Sequence, residues 1–205
     1  MMKYCLDNVI DGYQKGWLKA SLLNNREIMI PYGILVEKLF ADNKTATYKI
    51  LEGIYQNSLI TIPIQETKVF VSCKTRNHLD IQIKLMAKQL RMNGKDYPVI
   101  IDRTVKLGVY NVYIPDRPHK ENLISKYQDE TSGGSRFAST WFRIANTEES
   151  IFNSNKYLHF GTYSLGCVTI PYDKTMNRSL WTDIVMTLSQ TRIRHGICAR
   201  LHISK

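Results

Sequence analysis

Cysteine is scarce in this chain, with four in 205 residues: Cys5, Cys73, Cys167 and Cys198. Their spacings are wide and no Cys-x-x-Cys occurs, which speaks against a paired-ligand zinc motif and against a disulfide scaffold. Each cysteine is therefore expected to be either a small buried hydrophobe or a reactive thiol. Long apolar runs are also missing, so no segment is expected to span a bilayer. The start, Met1 to Asp7, lacks the features of a signal peptide. Lys3 is its only early cation, and Asp7 and Asp11 interrupt what should be an apolar stretch. The expectation is synthesis in the cytoplasm and export by another route, to act in a periplasm. Glycine follows no strict period, no heptad is sustained and no internal repeat is found. That excludes collagen-like, coiled-coil and repeat architectures.

What is present is ordinary for a globular protein, with 43% hydrophobic and 22% charged residues. The length suits one domain, or one domain with a small companion. The net charge is +10 and is unevenly spread. Residues 1–66 hold seven Lys/Arg and seven Asp/Glu, so residues 67–205 carry the whole excess. This shift suggests two units, 1–66 and 67–205. A basic chain with twelve tyrosines would suit nucleic acid. The basic residues are scattered, however, and no RRM, KH or zinc-finger motif appears, so nucleic acid is disfavoured as a partner.

Periodicity changes at the same place. Leu6, Val9, Ile10, Tyr13, Trp17 and Leu18 recur mostly at helical steps. Ile34, Leu35 and Leu39 suggest a second helix, and Tyr48, Leu51, Ile54 and Tyr55 a third. Residues 1–66 are thus expected to form a small helical unit. From residue 67 the signals are strands: 68–71, 81–83, 97–101, 108–115, 139–144, 157–160 and 197–203. Asn93-Gly94 marks a tight hairpin. Ser179–Gln190, with Leu180, Ile184 and Leu188 four apart, reads as one late helix.

The chemistry concentrates in Tyr157–Ile170. His159 precedes Cys167 by eight residues, with Gly161 and Gly166 between them. A thiol at neutral pH is mostly protonated, and a neighbouring imidazole can take its proton and leave a thiolate nucleophile. Glycine before the nucleophile lets the backbone turn its N–H groups toward a developing oxyanion. Two adjacent strands joined by a short turn would bring imidazole and thiol together. The plainer reading is a buried cysteine and a satisfied core histidine.

Ser164-Leu165-Gly166-Cys167-Val168 resembles the nucleophile motif of the L,D-transpeptidase (YkuD-like) family, His-x-Gly…Ser-His-Gly-Cys. His159 and Gly161 match its leading half, and Ser164, Gly166, Cys167 and Val168 its second half. Gly108–Asp116 is similar to the family's Gly-x-Tyr-x-Ile strand, and Thr140–Ile144 to a strand entering the site. The chain departs from the pattern at Leu165, where the family has His, and at Thr169, where it usually has Arg. The short gap resembles a divergent branch that includes secreted antibacterial effectors.

The resemblance implies an α+β fold: a β-rich YkuD-like catalytic domain with one late helix at 67–205, behind the small helical unit at 1–66. It implies that Cys167 attacks a carbonyl of a peptidoglycan stem peptide, with His159 as base. The outcomes would be a trimmed stem, an exchanged D-residue or a crosslink. Gly166, Ser164 and Gly161 would shape the oxyanion and substrate contacts. Arg143 or Arg136 would take the substrate carboxylate. No metal or organic cofactor is called for. Partners would be the stem peptides and, for an exported effector, an immunity protein or a secretion partner. The helical unit would serve delivery or regulation. The rival readings are a Cys–His hydrolase or acyltransferase acting on a protein, and a non-catalytic binder of nucleic acid or an anionic surface.

Other residues stand apart from this site. Asp116-Arg117-Pro118-His119 places an acid and a histidine near a strand end; lining the cleft is one reading, with His119 the next candidate base, and a solvated turn is the favoured one. His195 reads as the basic end of a helix before Gly196. His78 and His202 have no evident partners, and Cys73 beside Lys74 and Arg76 reads as a structural thiol.

Overall fold

The computed structural model describes residues 3–7, 16–73, 76–77, 79–119, 127–132, 134–146, 154–173, 180–194 and 196–205. Val9, Ile10, Asp11, Tyr13, Lys74, His78, Ser179 and His195 lie outside them.

Among the described residues of the first third the regular structure is sheet, with no α-helix. Its strands are β1 (Lys3–Leu6), β2 (Trp17–Leu22), β3 (Glu27–Pro31), β4 (Leu35–Ala41), β5 (Thr45–Ile50) and β6 (Leu59–Pro63), followed by β7 (Phe70–Ser72). They form one sheet in the order β3-β2-β6-β5-β4-β1-β7. The expected helical unit is therefore corrected to an antiparallel sheet. The reason lies in a period-two signal that competes with the helical one. Leu18 and Ala20, Ile28 and Ile30, Ala46, Tyr48 and Ile50, and Ile60 and Ile62 are all buried alternates. The register sets them opposite one another, Leu18 against Ile30, Tyr48 against Ile60, Ala46 against Ile62 and Val36 against Ile50. Pairing thus turns one face of every strand into a continuous apolar surface, worth about 1.5–3 kcal/mol per large side chain buried. A helix over the same residues would have scattered these side chains around its circumference.

β7 joins this first sheet by pairing with β1, so the sheet runs slightly past residue 66. A disulfide joins Cys5 and Cys73 across that pair, with their Cα atoms 5.1 Å apart. This corrects the expectation that no cysteine is bridged. A sequence separation of 68 offers no local spacing signal, and only the β1–β7 register makes the two thiols neighbours.

The remainder carries the expected strands. β8 (Arg76–Asn77) is followed by β9 (Asp80–Lys84), β10 (Gln89–Met92), β11 (Lys95–Pro98) and β12 (Ile100–Ile101). Next come β13 (Gly108–Tyr113), β14 (Phe142–Asn146), β15 (Lys156–Gly161), β16 (Val168–Pro171), β17 (Thr191–Arg192) and β18 (Ile197–Ser204). Nine of them form a second sheet in the order β11-β10-β9-β18-β13-β14-β15-β16-β12. Asn93 and Gly94 both have positive φ, as a two-residue hairpin between β10 and β11 requires. The late helix is present as Leu180–Ser189. It stops before residue 191, so the segment before Gly196 is the short strand β17 rather than a basic helix end. Trp181 on this helix packs edge-on to Phe142 and parallel to Phe160, covering one face of the second sheet.

The two sheets share one hydrophobic cluster that includes Ile30 and Tyr48 from the first and Phe142 and Leu201 from the second. Gly33 sits at the seam with φ +78°, and a Cβ there would lie 2.5 Å from the Ser189 side chain. No helix among the described residues is long and apolar enough to cross a membrane.

Candidate active site

β15 and β16 lie side by side and parallel, with Leu158 opposite Val168 and His159 opposite Thr169. Strand alternation then sorts the residues. Leu158, Phe160, Val168 and Ile170 face the helix side with Phe142. His159 and Thr169 face the other side, and Cys167 stands two residues before Thr169 at the end of the loop that leads into β16. From β14, Arg143 pairs with Tyr157 in register and joins the same face.

His159 is 5% exposed and has partners at both ring nitrogens. Nδ1 lies 3.2 Å from the Phe160 carbonyl, and Nε2 lies 2.9 Å from the Thr169 hydroxyl. The same hydroxyl lies 3.1 Å from the Tyr163 carbonyl. Burial disfavours the charged ring and lowers its pKa from 6.5 to about 4. The ring therefore rests neutral near pH 7 and is able to accept a proton.

Cys167 is buried, and neither it nor Cys198 forms a disulfide. The two thiols differ in setting. Cys198 is fully enclosed and burial pushes its pKa up to about 12, so it is inert. Cys167 ends a loop, residues 162–167, that crosses from β15 to β16. Gly166 has φ +73°, the left-handed conformation that glycine adopts without strain. Its N–H is held by the Asp102 carboxylate, whose pKa lies below the usual range chiefly through hydrogen bonds from Thr104 and also from this N–H. Ser164 donates its hydroxyl to the Cys167 carbonyl, and Asp102 donates its backbone N–H to the same oxygen at 3.2 Å. Ser164 and Gly166 thus shape the loop backbone around the cysteine. Gly161 closes β15, and its carbonyl accepts the Tyr172 N–H at 2.7 Å.

A stacked column flanks the histidine. Trp141 lies between His159 and His119, with ring centroids 4.3 Å from each. His119 Nε2 is 3.7 Å from the Asp116 carboxylate. Arg143 donates to that carboxylate at 2.8 Å and to the Tyr157 hydroxyl at 2.9 Å. Burial alone would raise the Asp116 pKa, but His119 and Arg143 facing it hold it below the carboxylate range. The expected solvated turn at 116–119 is therefore corrected: Asp116 and His119 side chains are each only 12% exposed. The reason is that the chain leaving β13 folds back over the β14–β15 face, where Trp141 and Tyr157 receive the ring of His119.

The structure thus brings His159, Gly161, Ser164, Gly166 and Cys167 into one strand-loop-strand unit, with Arg143 on the neighbouring strand. Arg136 lies elsewhere, in an exposed pair with Glu130 at 3.1 Å. His202 sits beside Asp80 at 3.6 Å. Trp141 and Tyr157 carry no motif signal in the sequence, and Thr169 stands there only as a departure from the family pattern. Two-residue alternation along 141–143, 157–159 and 167–169 is the signal that groups them.

No protein-family model matches the chain, and no curated protein matches it. Two solved structures similar to it are L,D-transpeptidases of Mycobacterium tuberculosis. L,D-transpeptidase 1 is 13% identical, covering 90% of this chain and 84% of its own, with a TM-score of 0.37. An L,D-transpeptidase from strain H37Rv is 11% identical, covering 93% of this chain and 77% of its own, with a TM-score of 0.36. Scores this low give the likeness no weight for fold or chemistry, so any functional reading rests on the site itself.

Proposed function

We propose that this chain is a cysteine acyltransferase of the L,D-transpeptidase type that acts on peptidoglycan stem peptides. One observation supports this most: His159 and Thr169 are register partners on parallel strands, and Cys167 lies two residues before Thr169, at the end of the loop that leads into the second strand. They do so within the pattern His-x-Gly…Ser-x-Gly-Cys.

In this reading the Cys167 proton passes to His159, and the thiolate attacks the carbonyl of the third stem residue at its L-centre. The C–N bond to the terminal D-alanine breaks, His159 returns the proton to the departing amine, and a thioester remains on sulfur. Water or an amine then opens the thioester. Trimming or exchange is the favoured outcome. Leu165, 77% exposed, and Tyr163, 55% exposed, form an apolar rim on the nucleophile loop where the family motif has a histidine. Arg143 is already held by Asp116 and Tyr157, so its contact with substrate would use the face of the guanidinium turned away from them. No step uses a metal or organic cofactor.

The Cys5–Cys73 bridge supports action in an oxidising compartment such as a periplasm. The first sheet would then be an accessory unit. Delivery as an antibacterial effector, with an immunity protein as partner, belongs to the same reading.

The test is mass analysis of muropeptides after incubation with the wild-type protein and with Cys167→Ala. Tetrapeptide stems should lose or exchange their terminal D-alanine with the wild type only. Identical profiles from the two proteins would sink the proposal.

A further inference from the structure

We propose that Thr169 is a positioning residue whose hydroxyl turns between His159 Nε2 and the Tyr163 carbonyl as the ring loses and gains its proton. This rests on the acyl-transfer reading above, in which His159 is the base.

Three contacts must be filled: Nδ1 to the Phe160 carbonyl, Nε2 to Thr169 Oγ1, and Thr169 Oγ1 to the Tyr163 carbonyl. Carbonyls only accept. A neutral imidazole brings one proton and the hydroxyl another, which leaves one contact empty. With the ring proton on Nδ1, facing Phe160, the hydroxyl donates to Nε2 and the Tyr163 contact is unfilled. When the Cys167 S–H bond breaks, the electron pair stays on sulfur and the proton is handed on through the Thr169 hydroxyl, which occupies the one in-plane lone pair of Nε2: the hydroxyl proton passes to Nε2 and the thiol proton replaces it on Oγ1. Nε2–H then donates to Oγ1, the hydroxyl turns to Tyr163, and all three contacts are made. Protonation of the ring therefore adds a hydrogen bond onto loop 162–167, which carries the new thiolate.

Thr169 is fully buried, so water does not compete for its hydroxyl. Burial opposes the charged ring, and a hydrogen bond made only by the charged ring offsets part of that penalty. The other titratable or charged groups around the site are His119 and Asp116 behind Trp141, Arg143 from β14, Tyr157 from β15, and Asp102 with neighbouring Arg103 at Gly166. None of these contacts is altered by changing Thr169 to Val.

The test is the pH dependence of iodoacetamide alkylation, followed by mass analysis of the Cys167 peptide. Cys198 is enclosed and Cys5 and Cys73 are bridged, so Cys167 dominates the reaction. Thr169→Val should move the alkylation midpoint up by about one to two pH units, the worth of a hydrogen bond to a charged group. Thr169→Ser should restore it. A midpoint unchanged in the Val variant, or raised equally in the Ser variant, overturns the proposal. The wild type supplies a second test that needs no variant to fold. Imidazole nitrogen NMR shifts should show the neutral His159 protonated at Nδ1, and protonation at Nε2 overturns the proposal. Neither measurement uses a cell-wall substrate. A supportive result with an unchanged muropeptide profile would therefore remove the substrate reading alone.

Discussion

Arg192 on the short strand β17 and Glu52 in the turn after β5, 140 residues apart, form a two-pronged ion pair, with Nε and Nη2 each 2.7 Å from a carboxylate oxygen. Glu52 is wholly enclosed. The remaining donors and acceptors are also used: Arg192 reaches the carbonyls of Gly33, Ser189 and Thr191, and Glu52 accepts the Leu35 N–H. Removing one partner leaves a buried charge unmatched. Glu52→Leu should therefore cost about 3–5 kcal/mol in a urea titration. Residues 67–205 alone lack both Glu52 and the Gly33 carbonyl, so they are expected to melt without cooperativity. A sharp melt of that fragment would show that the second sheet folds independently.

The Cys5–Cys73 bridge ties the first strand of the chain to β7 at the edge of the sheet. Opening it frees a long loop in the unfolded chain, and the expected loss is about 2–4 kcal/mol. Thermal melts with and without a reductant measure it. Cys5→Ser should abolish the effect of the reductant, whereas Cys198→Ser should leave it intact.

The buried His159 makes stability depend on pH. Its folded pKa of about 4 lies below the ordinary 6.5, so between these values the unfolded chain binds the proton and the folded chain does not. The contribution is therefore fully present above pH 6.5 and is lost as pH falls toward 4, by about 3 kcal/mol in all. The shift at Asp116 acts in the more acidic carboxylate range, where its ion pair is lost. His159→Gln should flatten the wild-type slope between pH 6.5 and 4 in melts taken across that window. An unchanged slope would place the titrating group elsewhere.

Turnover should separate His159 from Gly166. His159→Ala is expected to cut muropeptide turnover about 10²–10⁴-fold, with partial recovery at alkaline pH as the thiol ionises unaided. Gly166→Ala meets no close atom, the nearest being Thr104 Oγ1 at 3.9 Å. Its cost is conformational, about 1–2 kcal/mol for an L-residue held at positive φ. That variant should stay folded, lose activity through the displaced loop and show no alkaline recovery.

Much of the second sheet was legible along the chain. Asn93-Gly94, the alternation at 81–83 and 197–203, and the four-residue steps of the late helix are each local signals, and each element is in place. The pattern around His159 and Cys167 was legible as well, because glycines and chemically special residues sit within eleven positions of one another. The first sheet was not legible. Leu6, Trp17 and Leu18 fit a helical period locally, as do Tyr48 and Leu51, and only partners such as Ile30 opposite Leu18 and Ile60 opposite Tyr48 make the extended form of the strands the one that buries Leu18 and Tyr48. The same holds for contacts between distant residues. Nothing near Cys5 points to Cys73, nothing near Glu52 points to Arg192, and Thr169 meets His159 only because β15 and β16 run parallel in one register. The sequence by itself determined the local periods, the turn chemistry and which residues are the candidates for nucleophile and base. Tertiary structure alone decided which faces meet, since burial and pairing energies are shared between strands that the chain order leaves far apart.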